Sequence, residues 1–187
     1  MIAFIKKIIN KNRSRKIENQ FKAIGENVKF DLSTKFIFPE RLFLGKHIYI
    51  GPKGLINAMG DVDINDGSII GPNVVILSAN HNFKECTLLP YDEEHIFKKV
   101  YIDCYVWIGA NVIITPGSVI GEGSIIGAGA VISGTIPPLS IVVGNPCKVI
   151  GKRNSEKYFE LKNAEKCYLK EKMLGNIVPN FAKIESY

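Results

Sequence analysis

Isoleucine recurs every six residues through the second half of the chain. From Ile102 onward the hexads IDCYVW, IGANVI, ITPGSV, IGEGSI and IGAGAV place Ile102, Ile108, Ile114, Ile120 and Ile126 in one register, with Ile132 next. Four residues after these isoleucines stand Val106, Val112, Ser118, Ser124 and Ala130, so the second register is small or β-branched throughout. A helix of 3.6 residues per turn cannot keep positions six apart on one face. An extended strand can, because six is even, but Gly and Pro at fixed places put a corner in every hexad. The pattern predicts a coil of short flat strands with the isoleucines stacked inward: a β-helix, an all-β solenoid built from hexapeptides.

The same phase occurs earlier, with Ile64, Ile70 and Ile76 inward, and before them Leu44, Ile50 and Ile56. A two-residue slip near Asp61 and Val62 separates these two runs. IGENVKF at Ile24 is hexad-like, whereas DLSTKFIFPERLF does not keep the spacing, so the solenoid is predicted from Leu44 to Ile132. Ile76 and Ile102 are 26 residues apart, four hexads and a remainder of two, which implies an excursion from about His81 to Val100. Loops on a rigid scaffold commonly carry function. After Ile132, Pro137 and Pro138 mark a break, SIVVGNP reads as a last edge strand and turn, and Asn154 to Met173 as a helix capping the open end. The chain thus divides into an amphipathic segment 1–20, a β-helix domain 21–150 with the excursion loop 82–99, and a helical tail 151–187.

Composition adds few constraints. A chain of 187 residues, 46% hydrophobic and 22% charged, suits one globular domain. In MIAFIKKIIN, Ile2, Phe4, Ile5, Ile8 and Ile9 have amphipathic helical spacing, with lysines interrupting and no small-residue cleavage site. The segment is too short to span a bilayer. Packing against the body or a partner subunit is its simpler reading, contact with a membrane surface the other. The net charge of +6 fits an anionic partner, but much of it sits in KKIINKNRSRK and GKRNSEK, and no nucleic-acid motif accompanies it, so no nucleic acid is expected. Cys86, Cys104, Cys147 and Cys167 form no CxxC pair and no zinc-like cluster with the three histidines. Reduced thiols, no metal and a cytoplasmic location are expected.

The run VWIGANVIITPGSVIGEGSIIGAGAVISGTIPPLSIVVGNPCKVIGKR resembles the carboxy-terminal half of the hexapeptide-repeat acyltransferases, especially the maltose, galactoside and polysaccharide O-acetyltransferases. VWIGANV, IGAGAV and GNPCKVI together carry the likeness, and the repeat phase extends it from about Leu44 to Arg153. The resemblance implies a left-handed parallel β-helix with short terminal helices and a homotrimer with active sites between neighbouring prisms. It also implies acetyl-CoA as acyl donor and a hydroxyl-bearing acceptor near a catalytic histidine.

Moving an acetyl group from a thioester to a hydroxyl needs a base, and imidazole suits that task near neutrality. His81 stands where the family's catalytic histidine stands, and direct attack without an acyl-enzyme is implied. Asn57 resembles an asparagine placed against the acceptor hydroxyl, or is a turn residue; Asn80 adjoins His81 and orients it or ends a strand. Trp107 is either a core or interface residue or, by resemblance, lies beside the donor and acceptor. Amides at Gly109, Ala110, Ala128 and Gly129, beside small side chains, let the pantetheine arm approach. Lys148 matches a position directed at coenzyme phosphates, with Lys152 and Arg153 adding to it. Ser133 and Gly134 stand where relatives often have threonine and lysine, and Gly151 where some have arginine. The acceptor expected is a sugar or surface-polysaccharide precursor. An antibiotic, serine or an amino sugar, and a non-catalytic trimeric scaffold, are the alternatives. A carbonic-anhydrase-like zinc enzyme would need several histidines converging on a metal.

Overall fold

The computed structural model describes residues 2–177, and side chains from residue 8. The chain winds into a left-handed parallel β-helix whose faces carry six, seven and five strands. Ile24, Leu44, Ile64, Ile102, Ile120 and Ile136 align down the first face. Phe30, Ile50, Ile70, Ile108, Ile126 and Val142 align down the second. Phe36, Ile56, Ile76, Ile114 and Ile132 align down the third. The hexad register is therefore the core, and each buried isoleucine removes enough apolar surface from water to contribute roughly 1.5–3 kcal/mol. Val106, Val112, Ser118, Ser124 and Ala130 are fully buried beside the corners, where a larger side chain has no room.

The two-residue slip has a simple cause. In the early coils the corner from the third face to the first is two residues longer: Phe36 to Leu44 and Ile56 to Ile64 are eight apart, whereas Ile114 to Ile120 are six apart. Val62 and Val100 keep the same second register as Ser118, buried two residues before the core position, and the Ser118 hydroxyl donates to the Thr115 carbonyl at 2.7 Å.

The solenoid starts earlier than the spacing predicts, at the strand Ala23–Ile24. Its first coil is filled by aromatics in place of isoleucines: Phe21, Phe30 and Phe36 meet edge to face, with centroids 5.0 to 5.7 Å apart. Helix α1 (Ile2–Glu18) leads into this plug. Ile17 packs against the core, whereas Ile8 and Ile9 are exposed; the side chains of Ile2, Phe4 and Ile5, on which the amphipathic reading also rests, lie outside the described ones. Among the described residues, no helix is long and apolar enough to cross a membrane.

At the other end, Ser140–Val143 pairs antiparallel with Lys148–Lys152. The single helix expected beyond Asn154 is two: α2 (Ser155–Asn163) and α3 (Tyr168–Met173). Between them Glu165 has a φ of 53°, a left-handed conformation that a continuous helix cannot contain. The Asn154 side chain caps α2 by accepting the Lys157 amide at 2.8 Å. Nor do the helices lie across the open end. Tyr158 packs at Gly123 and donates to Glu122 at 2.8 Å, which sets α2 against the corner between the first two faces.

Candidate active site

The excursion, expected to be irregular, begins and ends as a hairpin. Ala79–His81 pairs antiparallel with His95–Phe97, aligning Asn80 with Ile96 and His81 with His95. The sequence shows no strand here because the hairpin's residues are largely solvent-facing and lack the apolar alternation that marks a strand. The loop between the strands is latched from inside. The Asn82 amide donates to Asp92 Oδ2 at 3.0 Å, the Thr87 amide donates to the same oxygen at 3.0 Å, and the Glu94 amide donates to Oδ1 at 3.1 Å. The Thr87 contact is the largest cause that holds the Asp92 carboxyl below the usual carboxylate range.

Alternation gives the hairpin two faces. Asn80, Asn82, Ile96 and Lys98 line a cleft of about 530 Å3 against Thr115, Pro116 and Ser133 of later coils. His81, His95 and Phe97 are on the other face. Arg41 lies over the Phe97 ring at 5.5 Å and also donates to the Met59 carbonyl. The His81 face therefore looks toward the corner that holds Asn57. The Asn57 Oδ1 accepts the Met59 amide at 3.2 Å, a turn contact. Asn80 is exposed, and its Oδ1 accepts the His81 amide at 3.0 Å.

The His81 ring is held between aromatic neighbours. Tyr91 stacks on it with centroids 3.8 Å apart and planes 15° from parallel, and the His95 ring is 4.7 Å away at 43°. His81 Nδ1 is buried without a hydrogen-bond partner. Among the described residues the one histidine–carboxylate pair is His47 with Glu26, in the first two coils. Reading single residues along the sequence misses Tyr91, the latch that Asp92 makes and the partnership of His95 with His81, because pairing across the hairpin is what joins them.

The second corner carries a column of glycines. A Cβ at Gly51 or Gly71 would lie 2.8 Å from the backbone of the next coil, and one at Gly109 would lie 2.7 Å from the Ala128 nitrogen. Only glycine lets these coils approach so closely. The predicted set of four amides divides in two. The Gly109 amide donates to Ile126 at 2.8 Å and the Gly129 amide to Ala110 at 2.8 Å, so both are committed to the solenoid. The Ala110 and Ala128 amides have no acceptor among the described residues. They are the pair able to meet a ligand.

The remaining predicted residues lie elsewhere in a single chain. Trp107, 55% exposed, stands on the second face and lines a separate hollow of about 340 Å3 with Tyr105, Tyr158 and α3. One chain does not bring it to His81, which follows the third face. Lys148 and Lys152 are exposed in the terminal strand. Arg153 is committed to the fold: it donates to the Gly123 carbonyl at 3.1 Å and lies over the Tyr158 ring at 5.1 Å. Burial, with Asp103 nearby, pushes the Cys104 thiol up to about 11. It is therefore protonated near neutrality and is no nucleophile. Among the described residues there is no group of three His, Cys, Asp or Glu able to hold a metal ion.

Comparison with known proteins gives the class to which this hexapeptide β-helix belongs: the bacterial hexapeptide transferases. The family model for bacterial transferase hexapeptide repeats (six repeats) matches residues 99–134. A galactoside O-acetyltransferase of Escherichia coli (strain K12) is 31% identical over 152 residues, covering 81% of this chain and 74% of its own. A hexapeptide-repeat acetyltransferase of Vibrio cholerae O1 biovar eltor, solved with acetyl coenzyme A, superposes with a TM-score of 0.72 at 25% identity, covering 78% of this chain and 79% of its own. A maltose O-acetyltransferase of Clostridium difficile 630 gives 0.70 at 28%, covering 78% and 76%. This chain belongs to the hexapeptide-repeat acetyltransferase family.

Proposed function

We propose that this acetyl-CoA-dependent acetyltransferase transfers the acetyl group to a hydroxyl of a sugar or surface-polysaccharide precursor, with His81 as general base. The observation that carries this is the placement of His81 on the hairpin face that looks toward Asn57, away from the polar cleft on the other side. The acceptor hydroxyl oxygen attacks the thioester carbonyl carbon while the imidazole removes its proton. The tetrahedral oxyanion accepts a hydrogen bond from a free amide at Ala110 or Ala128. Collapse breaks the carbon–sulfur bond, and the imidazolium returns its proton to the leaving thiolate. The products are an acetyl ester and the free coenzyme thiol.

The site needs more than one copy of the chain. The outward residues Tyr49, Ile69, Trp107 and Ile125 on the second face and Leu55, Val75, Ile113 and Val131 on the third are almost all apolar. Apolar columns of this extent suit contact between prisms. A homotrimer that packs one chain's second face near a neighbour's hairpin would carry Trp107 to the neighbour's His81. Lys148 and Lys152 are the exposed cations proposed for the coenzyme phosphates.

Titration of acetyl-CoA by calorimetry, paired with turnover on hydroxyl and amine acceptors, tests the reading. His81→Ala is expected to keep donor binding and lose turnover on the hydroxyl acceptor. Near wild-type turnover by His81→Ala would remove the base assignment, and absence of donor binding by the wild type at millimolar concentration would favour the scaffold.

A further inference from the structure

A general base must hold its ring in one orientation, and among the described residues no carboxylate performs that task for His81. Its Nδ1 is buried and unpartnered, and Asp92, the nearest acid in sequence to Tyr91, is turned inward onto Asn82, Thr87 and Glu94. What the ring does touch is aromatic: Tyr91 face to face at 3.8 Å, and His95 at 4.7 Å. The hairpin register sets His95 directly opposite His81, and the Asp92 latch fixes the loop one residue beyond Tyr91. We propose that Tyr91 and His95 are the positioning residues for His81, orienting the imidazole by stacking across the hairpin in place of a carboxylate hydrogen bond. This rests on the reading of His81 as the base.

The physical argument is one of preorganisation. A ring pressed flat on a second ring cannot turn about its χ2 without losing the contact. A displacement of the reacting nitrogen by about 1 Å can cost on the order of a hundredfold in rate. Tyr91 is 44% exposed, so its removal leaves no cavity in the solenoid core.

Steady-state kinetics on Tyr91→Ala, Tyr91→Phe, His95→Ala and His81→Ala, with melting curves for each, test the proposal. Tyr91→Ala and His95→Ala are expected to lower kcat about tenfold or more, with unchanged KM for acetyl-CoA and unchanged melting temperature. Tyr91→Phe should restore most of the lost kcat, since it restores the ring and not the hydroxyl. The proposal is overturned if Tyr91→Ala and His95→Ala turn over at the wild-type rate, or if they raise the acceptor KM alone, which would make them acceptor contacts. It is also overturned if Tyr91→Phe is as slow as Tyr91→Ala. Wild-type turnover by His81→Ala reports the separate failure of the base assignment.

Discussion

The Asn82 side chain donates to the Asp92 carboxylate at 3.0 Å, and both groups are buried although they belong to a loop that stands off the solenoid. A buried carboxylate that accepts three N–H bonds is stable only because each is made. Asp92→Ala should therefore unlatch the loop without touching the core. The expected result is faster proteolytic cleavage between residues 82 and 94, a raised acceptor KM and an unchanged global melting temperature.

The same latch has a pH limit. The Asp92 carboxyl has a lower pKa in the folded loop than in the open one, so its contribution is fully present above the open-loop value and is lost as pH falls through the folded value. The protection factors of the Thr87 and Glu94 amides against hydrogen exchange, which allow for the slower intrinsic exchange in acid, should stay high at neutral pH and fall only in acid, below the ordinary carboxylate range. Loss of protection already at pH 6 would show that the carboxylate does not hold the loop.

Two glycines of one column separate stability from donor binding. Gly51→Ala and Gly109→Ala both push a methyl group into the backbone of the next coil, and each should lower unfolding free energy in urea by about 1–3 kcal/mol. Only Gly109→Ala also covers the Ala128 amide, so only it should raise the KM for acetyl-CoA. Equal effects of both on that KM would remove the amide from the donor site.

Lys148 is exposed and free of any ion pair among the described residues. As a coenzyme phosphate contact, its replacement by alanine should raise the KM for acetyl-CoA about threefold to tenfold, the range of one exposed charge-assisted contact, with little change in kcat. The effect should shrink at high salt.

Ile113 and Val131 stand side by side on the outside of the third face. Lysine at both should leave the monomer's core intact and shift light-scattering mass from trimer toward monomer, with loss of turnover. A wild-type chain that is monomeric at micromolar concentration would end the shared-site reading.

The core was readable because a six-residue period tolerates one architecture, and Ile102 to Ile132 all fall where the hexads put them. The first coil escaped because Phe30 and Phe36 replace isoleucine and the corner from Phe36 to Leu44 is two residues longer than a hexad allows. His81 could be picked out as chemistry from its position against the family's motifs. Its neighbours could not: Tyr91 and His95 reach it only through a turn and a strand pairing, and Asp92 looks in sequence like one of three solvent-facing acids. The choice between the Gly129 amide and the Ala128 amide likewise depends on which carbonyl the next coil offers, a fact of register and not of composition.

The Lys98 amide donates to the Ser78 carbonyl at 2.8 Å, so the excursion leaves and rejoins the solenoid at adjacent positions. Lengthening such a closed loop adds only about 0.6 kcal/mol of closure entropy for each doubling. The segment between Ser78 and Lys98 behaves as an exchangeable cartridge: grafts from other corner hairpins should be accepted by the same coils, and acceptor choice can diversify while the donor side stays fixed.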